Sequence, residues 1–226
     1  MRRALLTRTS VAVLAGLPWA GCWPLEPETG SGCEAKTQAD LQAIAAGELR
    51  CDWVNVVETS LEDLSGLRGL DHVVGGVLVV QNERLRSLTG LEDLRGTGQI
   101  SVAENPALED VEIQWSGSFE EFGFSLNNNL HALTLELDVT DTRLRVSDSP
   151  VTELVISNPG PLRELTLSSL PELSSLDGLE GVISAQVVKL VTLPALPAAA
   201  VEGFLSRLDP APELVEICGV EGYPAC

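Results

Sequence analysis

The chain carries several adjacent carboxylates, the side chains that general acid–base catalysis and calcium binding both use. Each of three such pairs follows a leucine, and the pairs recur along the chain, which is typical of the solvated corners of a repeat. A polysaccharide-cleaving enzyme and a calcium-binding protein are the two chemical alternatives, although the glycine/aspartate nonapeptides of calcium-binding rolls are missing. The three pairs are Glu62-Asp63, Glu92-Asp93 and Glu109-Asp110.

No other catalytic signature accompanies these carboxylates. The sequence has no nucleophile elbow, phosphate-binding loop, HExxH motif or EF-hand spacing. His72 and His131 are single and far apart in sequence, so we expect each at a surface or turn position. The residue types therefore favour a protein that is not an enzyme and that carries no metal and no cofactor.

Five cysteines are an odd number for a protein of an oxidising compartment. Setting Cys22 aside leaves Cys33 and Cys51 towards one end and Cys218 and Cys226 at the other. Four cysteines allow three connectivities, and pairing of nearest neighbours is the simplest, because the others require the two ends of the body to meet. Metal ligation is the alternative, but no CxxC spacing exists and both histidines lie far from the cysteines.

Cys22 stands at the end of a leader. Residues 1–8 are basic, and residues 11–20 form a largely apolar stretch about half as long as a membrane-spanning helix. This pattern predicts a signal peptide over residues 1–21. The segment Leu17–Cys22 resembles the lipobox of bacterial lipoproteins. This resemblance implies that Cys22 is diacylated, that the protein is secreted across the inner membrane, and that it is anchored in the cell envelope, where we expect it in the outer membrane. The alternative is an ordinary secreted protein with a spare thiol at Cys22.

The charge of the chain restricts its partners. The formal net charge is −19, and the leader contributes three arginines and no acid, so the remainder is still more acidic. Nucleic acid is excluded as a partner because its binding depends on Lys and Arg that neutralise phosphates. An anionic membrane surface would repel the body, so we expect membrane association through the lipid anchor only.

The rest of the chain is built from repeats. Residues 22–32 are rich in proline and glycine and predict a flexible tether, whereas residues 33–226 are self-similar with a period of about 22 residues. Each copy holds one alternating apolar segment, which predicts one strand per coil. We therefore predict a mainly β fold, a single-stranded right-handed β-helix of about seven coils, with small helical caps near residues 40–46 and 197–208.

The repeats resemble a known family. The pairing of L-x-x-L-x-G-L with G-x-I-x-V-x-x-N between Leu85 and Asn105 resembles the receptor L domain, a single-stranded right-handed β-helix related to leucine-rich repeats. The resemblance is clear over residues 61–108 and diffuse to residue 193, and we expect extra strands at 133–137 and 151–156, where the pattern departs. It implies an N-terminal cap tied by Cys33 and Cys51, and a non-catalytic domain that binds ligands or packs against other domains.

Strand alternation gives a candidate binding face. Taking Val80, Val102 and Leu126 among the inward positions, we expect the outward row to be free of acid and to be the docking surface for an unidentified protein or glycan. A passive structural role in the envelope is the alternative. Asparagines 82, 105 and 128 follow successive strands and are predicted to shape the turns. The outward row consists of Asn55, Val79, Ser101, Ser125, Arg145, Thr166 and Lys189, with Arg143 beside it.

Overall fold

A computed structural model describes residues 31–226 of the chain. The predicted signal peptide, the acylation of Cys22 and nearly all of the tether lie outside the described residues. The described part is a β-solenoid of about seven turns, so the predicted fold class is confirmed.

Two parallel sheets run along the solenoid. The long sheet has the strand order β1-β2-β3-β4-β6-β8-β10-β12-β13, and the short sheet has the order β11-β9-β7-β5. The strands of the long sheet are β1 (Gly32–Glu34), β2 (Trp53–Val57), β3 (His72–Val80), β4 (Gly96–Ala103), β6 (Ser118–Ser125), β8 (Thr142–Ser147), β10 (Leu162–Ser168), β12 (Ala185–Leu193) and β13 (Leu214–Val220). Those of the short sheet are β5 (Asp110–Ser116), β7 (Ala132–Asp138), β9 (Glu153–Asn158) and β11 (Gly181–Val182).

Two inward rows of the long sheet form the core. In each coil two apolar residues, two positions apart, point inward and stack on their equivalents in the next coil, because the strands pair in register. Stacking removes both rows from water along seven successive strands. The first row is Val54, Val77, Ile100, Phe122, Leu144, Leu165 and Val188, and the second is Val56, Val79, Val102, Phe124, Val146, Leu167 and Leu190.

Every coil turns the same corner after its long-sheet strand. A non-glycine residue adopts the left-handed backbone conformation there in seven successive coils, with φ between 49° and 58°. This conformation is unfavourable for such residues, and a ladder bond compensates: the Glu58 amide, for example, donates to the Val80 carbonyl at 3.1 Å. The corner residues are Glu58, Gln81, Glu104, Leu126, Asp148, Ser169 and Thr192.

A buried ladder of polar side chains follows the first five corners. The side chain of Asn105 donates to the Val79 carbonyl at 3.0 Å and accepts from the Asn82 backbone amide at 3.1 Å. Asn127 accepts in turn from the Asn105 amide at 3.0 Å. The predicted turn-shaping role of Asn82 and Asn105 is confirmed, but Asn128 was the wrong member, since Asn127 is buried and Asn128 is exposed.

Both ends carry a helix and a disulfide, as predicted. At the N-terminal end, α1 (Gln38–Ala45) begins with a capping box in which Thr37 and Asp40 exchange hydrogen bonds. Cys33 and Cys51 are bonded there. At the C-terminal end, α2 (Ala198–Arg207) buries Val201 and Phe204, and Cys218 is bonded to Cys226.

The extra strands expected in the middle of the chain are the core of the short sheet. Strands β7 and β9 lie where the repeat pattern departs, and β5 extends the sheet one coil towards the N-terminus. The indole of Trp115 is buried there, stacks on Phe122 with ring centroids 4.8 Å apart, and donates to the Leu91 carbonyl at 2.8 Å. Large aromatic rings therefore fill the core of these middle coils.

Candidate binding face of the long sheet

The first three complete strands of the long sheet present an uncharged outer surface. Nine outward positions on β2, β3 and β4 hold no ionisable side chain, although the chain has 33 acidic and 14 basic residues. The register brings these positions side by side in three rows. We call them the neutral patch: Trp53, Asn55, Val57, Gly76, Leu78, Val80, Gln99, Ser101 and Ala103.

Glycines position the indole of the neutral patch. Trp53 reaches from β2 towards β3, where a Cβ at Gly75 would lie 2.3 Å from the indole Nε1 and a Cβ at Gly76 would lie 2.7 Å from Cζ3. Only residues without a side chain leave room for the ring at both positions. The ring therefore rests against the backbone of β3 and stays half-exposed.

The other half of the outer face carries paired charges. Glu164 contacts Lys189 at 3.1 Å and Arg145 at 3.5 Å, and Glu121 lies 3.8 Å from Arg143 and 4.0 Å from Arg145. Acids and bases thus alternate from strand to strand across β6, β8, β10 and β12. Because each cation faces a carboxylate of a neighbouring coil, this half offers little net positive charge to a partner.

The two carboxyl groups of this network have opposite pKa shifts. Burial raises the pKa of Glu121 above its usual value, although the charges of Arg145 and Arg143 act in the opposite direction. Burial would also raise the pKa of Glu164, but hydrogen bonds from Thr166 and Lys189 outweigh it and lower the pKa below its usual value. The difference reflects hydrogen bonding, since Thr166 donates to Glu164 at 2.9 Å.

The predicted outward row needs two corrections. Val79 is fully buried in the core, and Leu78 occupies the outward position. Gly123, and not Ser125, lies between Ser101 and Arg145 in that row, so Ser125 is two positions further along its strand. From Asn55 to Lys189 the row holds no acid, as expected, but Glu34 and Glu216 continue it at its two ends.

The acids of the face come from neighbouring strands that alternation alone could not align. Glu121 and Glu164 stand on either side of Arg143 in the adjacent outward row, and Glu216 continues the row of Lys189. The other predicted members, Asn55, Ser101, Arg145, Thr166 and Lys189, lie in one row as expected.

The adjacent carboxylates bind the turns of the chain itself. Asp63 accepts from the Ser65 amide at 2.8 Å, and hydrogen bonding by the Ser65 side chain and amide lowers the pKa of Asp63 below its usual value. Asp93 accepts from the Gly69 amide at 2.9 Å, and Glu62 pairs with Arg84. A general acid needs a raised pKa, so the shift of Asp63 does not suit that role.

Two shallow grooves run along the corners, directly beside the last row of the neutral patch, because Glu58, Gln81 and Glu104 follow Val57, Val80 and Ala103 in sequence. The larger has a volume of about 660 Å³ and is lined by Glu58, Gln81, Glu83 and Glu104, among others. The smaller, about 370 Å³, lies beside it at Pro106 and Asn128. Both are open, and neither brings His72 or His131 to the carboxylates.

Within residues 31–226, no three potential metal-ligating side chains come together, and no helix has the length and apolarity needed to cross a membrane. Comparison with known proteins gives no relative: no family model, no curated protein and no solved structure matches the chain.

Proposed function

We propose that the protein is a non-catalytic envelope module that binds an uncharged partner on the neutral patch. The single observation that supports this is the absence of ionisable side chains from nine adjacent outward positions in a strongly acidic chain. Elsewhere the acidic surface repels other acidic molecules and keeps the protein soluble. An uncharged molecule that binds to a neutral surface removes few charged groups from water, so the cost of desolvation is lowest there.

The dimensions of the patch favour a neutral glycan. Three strands about 4.8 Å apart and five residues along each strand cover roughly 10 Å by 15 Å. This is far below the area of about 800 Å² that each partner contributes to a standard protein–protein interface. A chain of a few sugar rings fits this extent, and the half-exposed indole of Trp53 offers an apolar face for a ring. Asn55 and Gln99 add amide groups at other positions of the patch.

Anchoring in the envelope belongs to the same proposal. The resemblance of Leu17–Cys22 to a lipobox supports acylation of Cys22, and the repeats around Leu85–Asn105 support a receptor L domain-like body. Metabolic labelling with a fatty-acid analogue should mark the wild-type chain and not Cys22→Ala. Equal labelling of both chains would remove the lipid anchor from the proposal and leave a secreted protein.

A matched pair of double variants tests the binding face. Leu78→Lys with Ser101→Lys places two charges on adjacent coils of the neutral patch, and Thr134→Lys with Val155→Lys makes the same change on the outward face of the short sheet. We expect the first variant to lose at least tenfold in affinity for neutral glycans on an array, and the second to bind like the wild type.

The same comparison can contradict the proposal. Equal binding by both variants would move the site to the corners or caps. Capture of a protein from the intact envelope, lost in the first variant only, would replace the glycan with a protein partner. Binding of no glycan and no protein would favour a passive structural role.

A further inference from the structure

The C-terminal end of the solenoid has an incomplete core layer. Val215 occupies the first inward row of the long sheet, as the neighbour of Val188 in the register. Val188 and the six earlier members of that row are fully buried, whereas Val215 is 40% exposed. Within residues 31–226, no further coil covers this last apolar side chain of the row.

Other apolar side chains are exposed at the same end. Leu214, beside Val215 on β13, is 52% exposed, and Ile183, next to the segment that leads into β13, is 49% exposed. These three are among only four large apolar side chains that are exposed in residues 31–226. Leu214 and Val215 point to opposite faces of β13, so it is Val215, in the inward row, that marks the uncovered end of the core.

The backbone of β13 is open at the same place. Within the described chain β13 pairs only with β12, so its other edge has no neighbouring strand. Pro210 and Pro212 precede the strand and lack amide hydrogens, and the Gly219 amide already donates to the Pro224 carbonyl at 2.6 Å. The Glu213 amide also donates to the Gln186 carbonyl of β12 at 2.8 Å. The available edge is thus the short stretch of residues 214–217, which suits an added strand of about four residues.

The acidic residues near the edge favour a basic peptide as its binding partner. Glu216 is exposed on β13, and Glu213 is exposed just before it. Glu216 is the register neighbour of Lys189, whose ammonium contacts Glu164 of the adjacent row on the preceding coil at 3.1 Å. A cation opposite Glu216 would continue this alternation, whereas β13 of a second copy would bring its own glutamates to the same edge. Like charges on adjacent strands are destabilising, so a second copy is disfavoured.

We propose that β13 accepts an extended peptide as an additional strand, and that this peptide has a basic residue opposite Glu216 flanked by apolar residues opposite Val215 and Ile217. Its apolar side chain covers Val215, its backbone pairs with the open edge, and its cation meets the glutamate. This surface is distinct from the neutral patch and does not depend on glycan binding there.

Labelled peptides test the proposal by fluorescence anisotropy with the full chain in detergent. The probe has a valine-valine-lysine-valine core, and three controls have glutamate for the lysine, a scrambled order, or N-methyl groups on alternate amides. We expect the lysine probe to bind at least tenfold more tightly than each control. The matched variant Glu216→Lys should reverse the preference between the lysine and glutamate peptides while its circular dichroism stays that of the wild type.

Three outcomes would overturn the proposal. Equal binding of the N-methylated peptide would exclude pairing of backbones, and an unchanged preference in Glu216→Lys would exclude recognition by charge. Concentration-dependent dimerisation of the wild-type chain, abolished by Val215→Lys, would show that a second copy covers this edge.

Discussion

Replacement of Asn105 by alanine tests the buried polar ladder most directly. The side chain of Asn105 is inaccessible to water and bonds to three coils. In the alanine variant the Asn82 amide and the Val79 carbonyl both lose their side-chain partner inside the protein. The Asn82 side chain, the Ala103 carbonyl and the Asn127 side chain also lose a bond to Asn105, but each keeps another partner. The Asn82 amide and the Val79 carbonyl are therefore the two groups that bear the main damage.

The expected loss of stability follows from those two groups. A buried donor or acceptor left without a partner costs about 1–3 kcal/mol, so two of them cost about 2–6 kcal/mol, and we expect about 4 kcal/mol because little water can enter. Urea unfolding followed by circular dichroism measures this loss as a shift of the midpoint. Asn105→Leu fills the space but leaves the same groups unpaired, so it should be destabilising to a similar degree.

The neighbouring triplet of asparagines supplies the control. Asn128 is exposed, and Asn128→Ala should change the free energy of unfolding by less than about 0.5 kcal/mol. If Asn105→Ala unfolds at the same urea concentration as Asn128→Ala, the ladder does not stabilise the coils. If Asn105→Leu is as stable as the wild type, the ladder acts through packing and not through hydrogen bonds.

Three further predictions concern the long sheet. Val79→Asp should prevent folding or secretion, since it buries an unpaired charge, whereas Val80→Asp on the outward face should be mild; equal damage would refute the register. Gly76→Ala should lower stability by at least about 2 kcal/mol, because its Cβ would lie 2.4 Å from a carbonyl oxygen of β4, and a wild-type melting temperature would contradict this close approach. Glu164→Gln should lower the free energy of unfolding by about 1–2 kcal/mol at pH 7, and this loss should disappear as the pH falls below the lowered pKa of Glu164. Glu121→Gln removes a carboxylate of raised pKa, so it should be neutral or stabilising at pH 7. Denaturation measured from pH 3 to 7 distinguishes the two variants.

Much of the architecture could be predicted because the spacing of the apolar residues reveals the repeat. The period of the leucines and valines gives the number of coils, and the departure at residues 133–137 and 151–156 locates the second sheet. The cysteine spacing gives both disulfides, since each pair lies within one end of the body.

The phase of individual strands could not be predicted where alternation is lost. Residues 77–80 are four consecutive apolar residues, so either parity could face inward, and the choice depends on the indole of Trp53, which lies against Gly75 and Gly76. In the fourth coil, the sequence pattern allows either Phe124 or Leu126 at the inward position. The structure buries Phe124 there and places Leu126 at the corner in the left-handed conformation.

The chemistry of the outer face was harder to predict for a related reason. Glu121, Arg145 and Glu164 are distant in sequence and meet only through the register of three coils, which a bulge near Leu162 also shifts. The open edge at Val215 could not be predicted either. In the sequence pattern Val215 does not differ from the residues of the inner strands, so the pattern does not show which strand lies at the edge.

The polar ladder also constrains how the chain can change its length. Asn82 and Asn105 are 23 residues apart and make equivalent bonds, so excision of residues 82–104 would join Gln81 directly to Asn105 and let it take over the bond to Thr59. Loss of a whole coil between two asparagines therefore preserves the corner chemistry. Loss of part of a coil does not preserve it. A deletion that joins a corner followed by asparagine to one followed by leucine, as at Leu170 and Leu193, does not preserve it either. Over evolutionary time the solenoid can therefore be shortened or lengthened in steps of one coil, between corners of the same kind.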